Sequence, residues 1–277
     1  MKTEQISVGN YHYIRYSLSY FLESMKRLGI QNIELYAAGP HCYLDDFDYM
    51  RTRQLSRSIR EAGLNIICLT PEQCIYPISI STSESVMRKR SINYFLKAID
   101  MAETLEAPLV LVTPGISMLD MDRDSEVQIC IDSLCLLTEY ATHRGIRLVL
   151  EALATTTSFI ANTPGQLKVL IDAVDMPGLK PMLDVDGAAR AGLRPADYFQ
   201  QFKDQIMHIH FIDGFPGGHV VPGDGVLDLN GFLEEIDAAH YSGAISLEIL
   251  DRQYYLEPEL AVKRSVEFLG HYINKRS

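Results

Sequence analysis

The fold class this sequence predicts is α/β, a closed (β/α)8 barrel. Three observations carry that expectation. Short β-branched or apolar runs alternate strictly with helical patterns, which implies a parallel sheet. The alternation repeats eight times over 277 residues, near the usual length of an eightfold barrel. No GxGxxG motif follows the first run, which weakens the open doubly wound alternative.

The strand candidates are residues 5–9, 32–36, 65–69, 109–113, 147–153, 180–185, 206–212 and 244–250. Helical patterns follow them near 14–28, 47–62, 82–105, 125–144, 164–174, 195–204, 229–240 and 257–273. Gly29 and Gly63 close the first two helical runs and Gly145 closes the fourth, where a left-handed cap is wanted. Asn162-Thr163-Pro164 opens the fifth as a capped start with proline in the first turn. No linker or low-complexity stretch divides the chain, so one domain over 1–277 is expected.

Hydrophobic residues make up 47% and charged residues 22%, enough apolar matter for a large core. The net charge of −11 opposes binding to nucleic-acid phosphates and to anionic membrane surfaces. The five cysteines, Cys42, Cys68, Cys74, Cys130 and Cys135, form neither a zinc ribbon nor a CxxC pair. They point to a reducing, cytoplasmic setting. The N-terminal segment has no signal-peptide core, and no apolar run approaches bilayer length.

Barrel enzymes place their chemistry at the C-terminal ends of strands. Buried parallel strands should be apolar throughout, yet four successive candidates break that rule near those ends. The fifth ends in Glu151, the sixth in Asp184, the seventh reads His208-Ile-His210 and the eighth carries Glu248. One carboxylate at a strand end commonly caps a helix or faces water. Four ionisable groups at matching depth on neighbouring strands are a different matter, because three carboxylates do not stay ionised together without a cation. The set Glu151, Asp184, His210 and Glu248 suits one divalent ion, Mn2+ first, with Co2+, Mg2+ or Zn2+ as alternatives. His208 is read as a deeper residue supporting His210.

The segments LVLEAL at 148–153, MLDVDG at 182–187, HIHFID at 208–213 and SLEIL at 246–250 resemble the xylose-isomerase-like TIM-barrel superfamily of sugar isomerases and epimerases. IELYAAGPHCY at 33–43, CLTPEQCIYP at 68–77 and HVVPGDG at 219–225 are similar to the fructoselysine 3-epimerase and ketose 3-epimerase group. The resemblance implies metal ligation by Glu151, Asp184, His210 and Glu248, with Glu151 and Glu248 as the acid–base pair. It also implies a small sugar substrate and a homo-oligomer, dimer or tetramer. Two positions depart from the ketose 3-epimerase pattern: Thr157 stands where a second glutamate is usual, and Gly187 where a histidine is often found.

The expected reaction inverts the carbon beside a carbonyl. It needs a base on each face and a cation to hold the developing enediolate charge. Glu72, His41, His219 and Asp213 are candidate substrate contacts, with Asp213 also able to orient His210 or to cap its loop. Tyr43 and Tyr11-His12-Tyr13 are candidate wall residues. Asp186 is ambiguous in the way Asp213 is, Arg252 is read as solvated, with contact to an anionic substrate group as the alternative, and Tyr254 and Tyr255 as packing or interface. The same metal site would serve an aldose–ketose isomerase or an inosose or dehydroshikimate-type dehydratase. A barrel nuclease acting on abasic DNA is opposed by the acidic balance and the scarcity of well-placed histidines, and a barrel that has lost catalysis by the intact quartet.

Overall fold

The computed structural model describes residues 1–74, 77–215 and 217–275. Eight strands run parallel and close in chain order. They are β1 (Ile6–Gly9), β2 (Asn32–Ala37), β3 (Asn65–Pro71), β4 (Leu109–Val112), β5 (Arg147–Leu150), β6 (Leu179–Asp184), β7 (His208–His210) and β8 (Ala244–Leu247). β8 pairs with β1, setting Ser246 opposite Ser7 and Leu247 opposite Val8, so the sheet has no free edge. This is the (β/α)8 barrel that the alternation predicts.

Around it lie α1 (Leu18–Arg27), α2 (Tyr49–Glu61), α3 (Ser85–Leu105), α4 (Arg123–Thr142), α5 (Pro164–Val174), α6 (Val185–Arg190), α7 (Pro195–Phe202), α8 (Leu229–Ala238) and α9 (Pro258–Asn274). The glycines expected to end helices do so with φ of 70° at Gly29, 75° at Gly63 and 71° at Gly145. Thr163 caps α5 by accepting from the Gln166 N–H, with Pro164 in the first turn. Among the described residues no helix is long and apolar enough to cross a membrane.

Three departures from the sequence reading have local causes. The helix expected from 14 begins at Leu18, because Ser17 caps it through the Tyr20 N–H and Tyr11–Tyr13 form a separate 3-10 turn. α6 is an added helix of six residues, too short to show a helical period in sequence. β5, β7 and β8 stop two or three residues short of the predicted ends. The apolar pattern runs on into loops, where Leu153 bonds to Ala161 and Asp213 pairs with Val220 instead of continuing the barrel ladder.

Two cores result. Outward strand residues such as Ile33, Leu35, Val110, Leu150, Leu183 and Ile245 belong to the large core shared with the helices. Inside the barrel, Cys68, Leu109, Leu111, Val149 and Met182 fill the half formed by β3 to β6. The other half is polar: Ser7, Glu34, His208 and Ser246 are fully buried there. That asymmetry places the polar chemistry under one side of the barrel mouth.

Candidate metal centre

Asp184 and His210 are the last residues of β6 and β7, and Glu151 and Glu248 each follow the last residue of their strand. Register sets Asp184 beside His210. His210 Nδ1 lies 3.1 Å from Glu248 Oε2 and 3.5 Å from Glu151 Oε1. Glu248 Oε2 is also 3.1 Å from Nδ1 of His219. Donor atoms of Glu151, His210 and Glu248 fall within 4.8 Å of one another, as do those of Asp184, His219 and Glu248. Glu248 belongs to both triads, so the four strand-end residues meet around it and His219 joins them.

His219 arrives from the loop after β7. Its backbone is left-handed, φ 47°, unusual for a side-chain-bearing residue. Its carbonyl accepts from the Leu250 N–H at 3.1 Å, which pins it beside Glu248.

The electrostatics follow from crowding. Burial opposes ionisation of Glu248, but His210 and His219 outweigh it and bring the carboxyl down to about 2. Burial likewise opposes charge on His219, and Glu248 beside it lifts the imidazole to about 9. Asp184 is pushed up to about 7 by burial, with Glu151 and Glu248 adding repulsion against the pull of the histidines.

The donor set fits a divalent cation. His210 Nδ1, His219 Nδ1 and Glu248 Oε2 are buried and lack a hydrogen-bond partner among the described residues. Each of the two nitrogens stands 3.1 Å from the Glu248 oxygen. Ligands of a small octahedral ion, each about 2.1 Å from it, stand about 3 Å apart. Orphaned atoms at that spacing are what an ion between them satisfies, and a His/Glu cluster of this kind is a divalent-metal site.

Below the quartet lies Glu34 on β2, fully buried. It accepts from His208 Nε2 at 2.7 Å and from His210 Nε2 at 2.9 Å. Tyr11 donates to it at 2.7 Å and Thr70 at 2.6 Å. Burial alone would raise its carboxyl, but the two imidazoles hold it well below the usual range. The sequence reading passed over Glu34. Its signal was available: a carboxylate inside the apolar run Asn32-Ile-Glu-Leu-Tyr36 breaks the same rule that exposed the other four.

A cavity of about 320 Å³ opens above Glu151, Asp184, His219 and Glu248. Glu72 also lines it and takes the Tyr36 hydroxyl as donor. Thr157 and Gly187, the two positions that depart from the ketose 3-epimerase pattern, both line it. A Cβ at Gly187 would stand 3.2 Å from Asp184 Oδ2, so the missing side chain leaves that carboxylate uncrowded. Arg190 is a lining residue that the sequence did not single out; its Nε donates at 2.8 Å to Asp186, which is fully buried.

Other candidates lie elsewhere. His41 is not brought to the cavity: one ring nitrogen meets Asn10 and the other the Tyr16 carbonyl, both at 2.8 Å. Asp213 does not touch His210 either; both its oxygens accept backbone N–H groups of its own loop. Of Tyr11, His12 and Tyr13, only Tyr11 lines the cavity. Tyr43 borders a neighbouring hollow, and Tyr254 is packed, its hydroxyl between Val221 and Asp224.

Comparison with known proteins places this geometry. The chain is 25% identical over 269 residues to the fructoselysine 3-epimerase of Shigella flexneri, covering 96% of both. It superposes on D-psicose 3-epimerase with D-tagatose from Clostridium cellulolyticum with a TM-score of 0.81 at 14% identity, covering 98% of both chains. The IOLI protein with a binding zinc atom gives a TM-score of 0.82 at 18% identity, again over 98% of both. The family model described as xylose isomerase-like TIM barrel matches residues 22–272, and the chain belongs to that family.

Proposed function

We propose that this chain is a divalent-metal-dependent epimerase of a ketose or ketosamine, inverting the carbon next to the carbonyl. One observation carries the reading: Glu151 and Glu248, from different strands, both reach the Nδ1 side of His210 at the floor of the cavity. The similarity to fructoselysine 3-epimerase along nearly the whole chain supports it.

A C–H beside a ketone is a weak acid. When bound, a cation supplies the positive charge that stabilises the oxygen as the proton leaves. The rest falls to the side chains. One of Glu151 and Glu248 takes the proton; the other returns one to the opposite face, and the centre inverts. Which acts first depends on the direction of reaction. Glu72, another lining residue of the cavity, is read as holding a hydroxyl or an amine of the substrate. Mn2+ is the expected ion, with Co2+, Mg2+ and Zn2+ as alternatives. The protein is read as a homo-oligomer, dimer or tetramer, of the cytoplasm; five free cysteines suit a reducing compartment.

Isomerisation and dehydration start with the same proton abstraction. Thr157 and Gly187 on the cavity wall favour keeping them as a second reading, since the groups that hold a ketose in 3-epimerases are replaced there.

The test is incubation with Mn2+ and D-tagatose, D-psicose, D-fructose or fructoselysine in D2O. Deuterium at the carbon beside the carbonyl, in a product of inverted configuration, is expected. Glu151→Gln and Glu248→Gln should each lower exchange roughly 10²–10⁴-fold with an unchanged circular dichroism spectrum. Near-normal exchange in both variants refutes the assignment.

A further inference from the structure

We propose that Glu34 is a positioning residue of the metal centre: it holds His210 with Nδ1 turned to the cation and links that ring to the cavity wall through Tyr11. The inference rests on the metal-dependent reading above.

An ionised carboxylate has no proton to donate. Glu34 Oε1 takes Tyr11, Thr70 and His210, and Oε2 takes His208 and, at 3.1 Å, His210 again. Both histidines must therefore carry hydrogen on Nε2. With Nε2–H committed, His210 is left with Nδ1 as its ligating atom, and that atom faces Glu151 and Glu248 without a hydrogen-bond partner. Metal-bound histidines commonly give their second nitrogen to a carboxylate, which fixes both tautomer and ring orientation.

The same three residues, Glu34, His208 and His210, are close enough to hold an ion themselves. The geometry favours hydrogen bonds instead. The Nε2···O separations of 2.7 and 2.9 Å are those of charge-assisted hydrogen bonds. Tyr11 and Thr70 also donate to Oε1, and Glu34, His208 and His210 are fully buried. Tyr11 extends the linkage outward, its ring stacked on Tyr36 at 4.6 Å and lining the cavity.

The test uses metal ions alone. Mn2+ is titrated calorimetrically into metal-stripped wild type, Glu34→Gln and Ser7→Ala. Glu34→Gln should bind roughly 10–100-fold more weakly. Ser7→Ala trims a buried hydroxyl of the same polar half of the barrel that has no hydrogen-bond partner among the described residues, and should bind as the wild type does. Wild-type affinity in folded Glu34→Gln overturns the role of Glu34 and leaves the epimerase reading standing. Absence of Mn2+ binding in the wild type overturns both. A second measurement covers a variant that fails to fold. In wild type loaded with diamagnetic Zn2+, nitrogen NMR of His210 should show metal on Nδ1 and a slowly exchanging proton on Nε2. Metal on Nε2 overturns the proposal.

Discussion

A buried carboxylate that accepts several backbone N–H groups does for a loop what a cap does for a helix. Asp213, only 2% exposed, takes four: Gly214 and Leu227 on one oxygen, Gly223 and Gly225 on the other. The loop so gathered carries His219 to the metal centre. Gly225 is required there, since a Cβ would lie 2.3 Å from Asp213 Oδ1. Asp213→Ala strands four donors at once. The expected loss is about 3 kcal/mol, read as a lowered urea midpoint, with weaker Mn2+ binding as His219 drifts. Unchanged stability and metal affinity would show that the loop holds without it. The sequence reading had Asp213 as a possible substrate contact; its HVVPGDG motif is explained by this internal bonding.

Among the elements, the strand ends do most of the positioning. Asp184 closes β6 and caps α6 through the Asp186 N–H at 2.9 Å, so one residue serves the site and starts the helix that brings Arg190 to the cavity. Gly9 closes β1, and a Cβ there would come within 2.3 Å of the Tyr11 ring. Gly9→Ala must push Tyr11 off its stack on Tyr36 and away from Glu34. Overpacking of this kind costs roughly 1–3 kcal/mol, and the melting temperature should fall accordingly. If Tyr11 is a wall of the substrate cavity, KM should rise with it; a lower melting point with unchanged KM would confine Tyr11 to packing.

At the scale of the whole molecule, closure joins the first βα unit to the last. His12, fully buried after β1, meets the carbonyl of Pro258, the first residue of α9, at 3.2 Å. Burial lowers its imidazole from 6.5 to about 4, more than the backbone contacts offset. The unfolded chain therefore binds a proton between those pH values that the folded chain refuses. Above about 6.5 the ring is neutral in both states and costs nothing. As pH falls toward 4 the folded state loses ground, by on the order of 3 kcal/mol. Urea midpoints of wild type and His12→Gln, compared from pH 7.5 to 4.5, should converge or cross as the acid side is approached, with the shallower slope in the variant. Parallel slopes would show that His12 contributes nothing to acid sensitivity.

What the sequence determined by itself was whatever local pattern records. Eight alternating runs, the glycines after helices and the cap at Thr163 depend on neighbours a few residues away. So does the recognition of Glu151, Asp184, His210 and Glu248, each a polar break at the end of an apolar run. Closure, contact and orientation belonged to the tertiary structure. Glu34 finds His208 and His210 across 174 and 176 residues of chain, from strands that are not neighbours in the barrel. His219 reaches Glu248 only because its loop folds back on the end of β8, while His41 turns toward Asn10 and Tyr16. Periodicity says which residues face inward; the curvature of the closed sheet decides which of them meet.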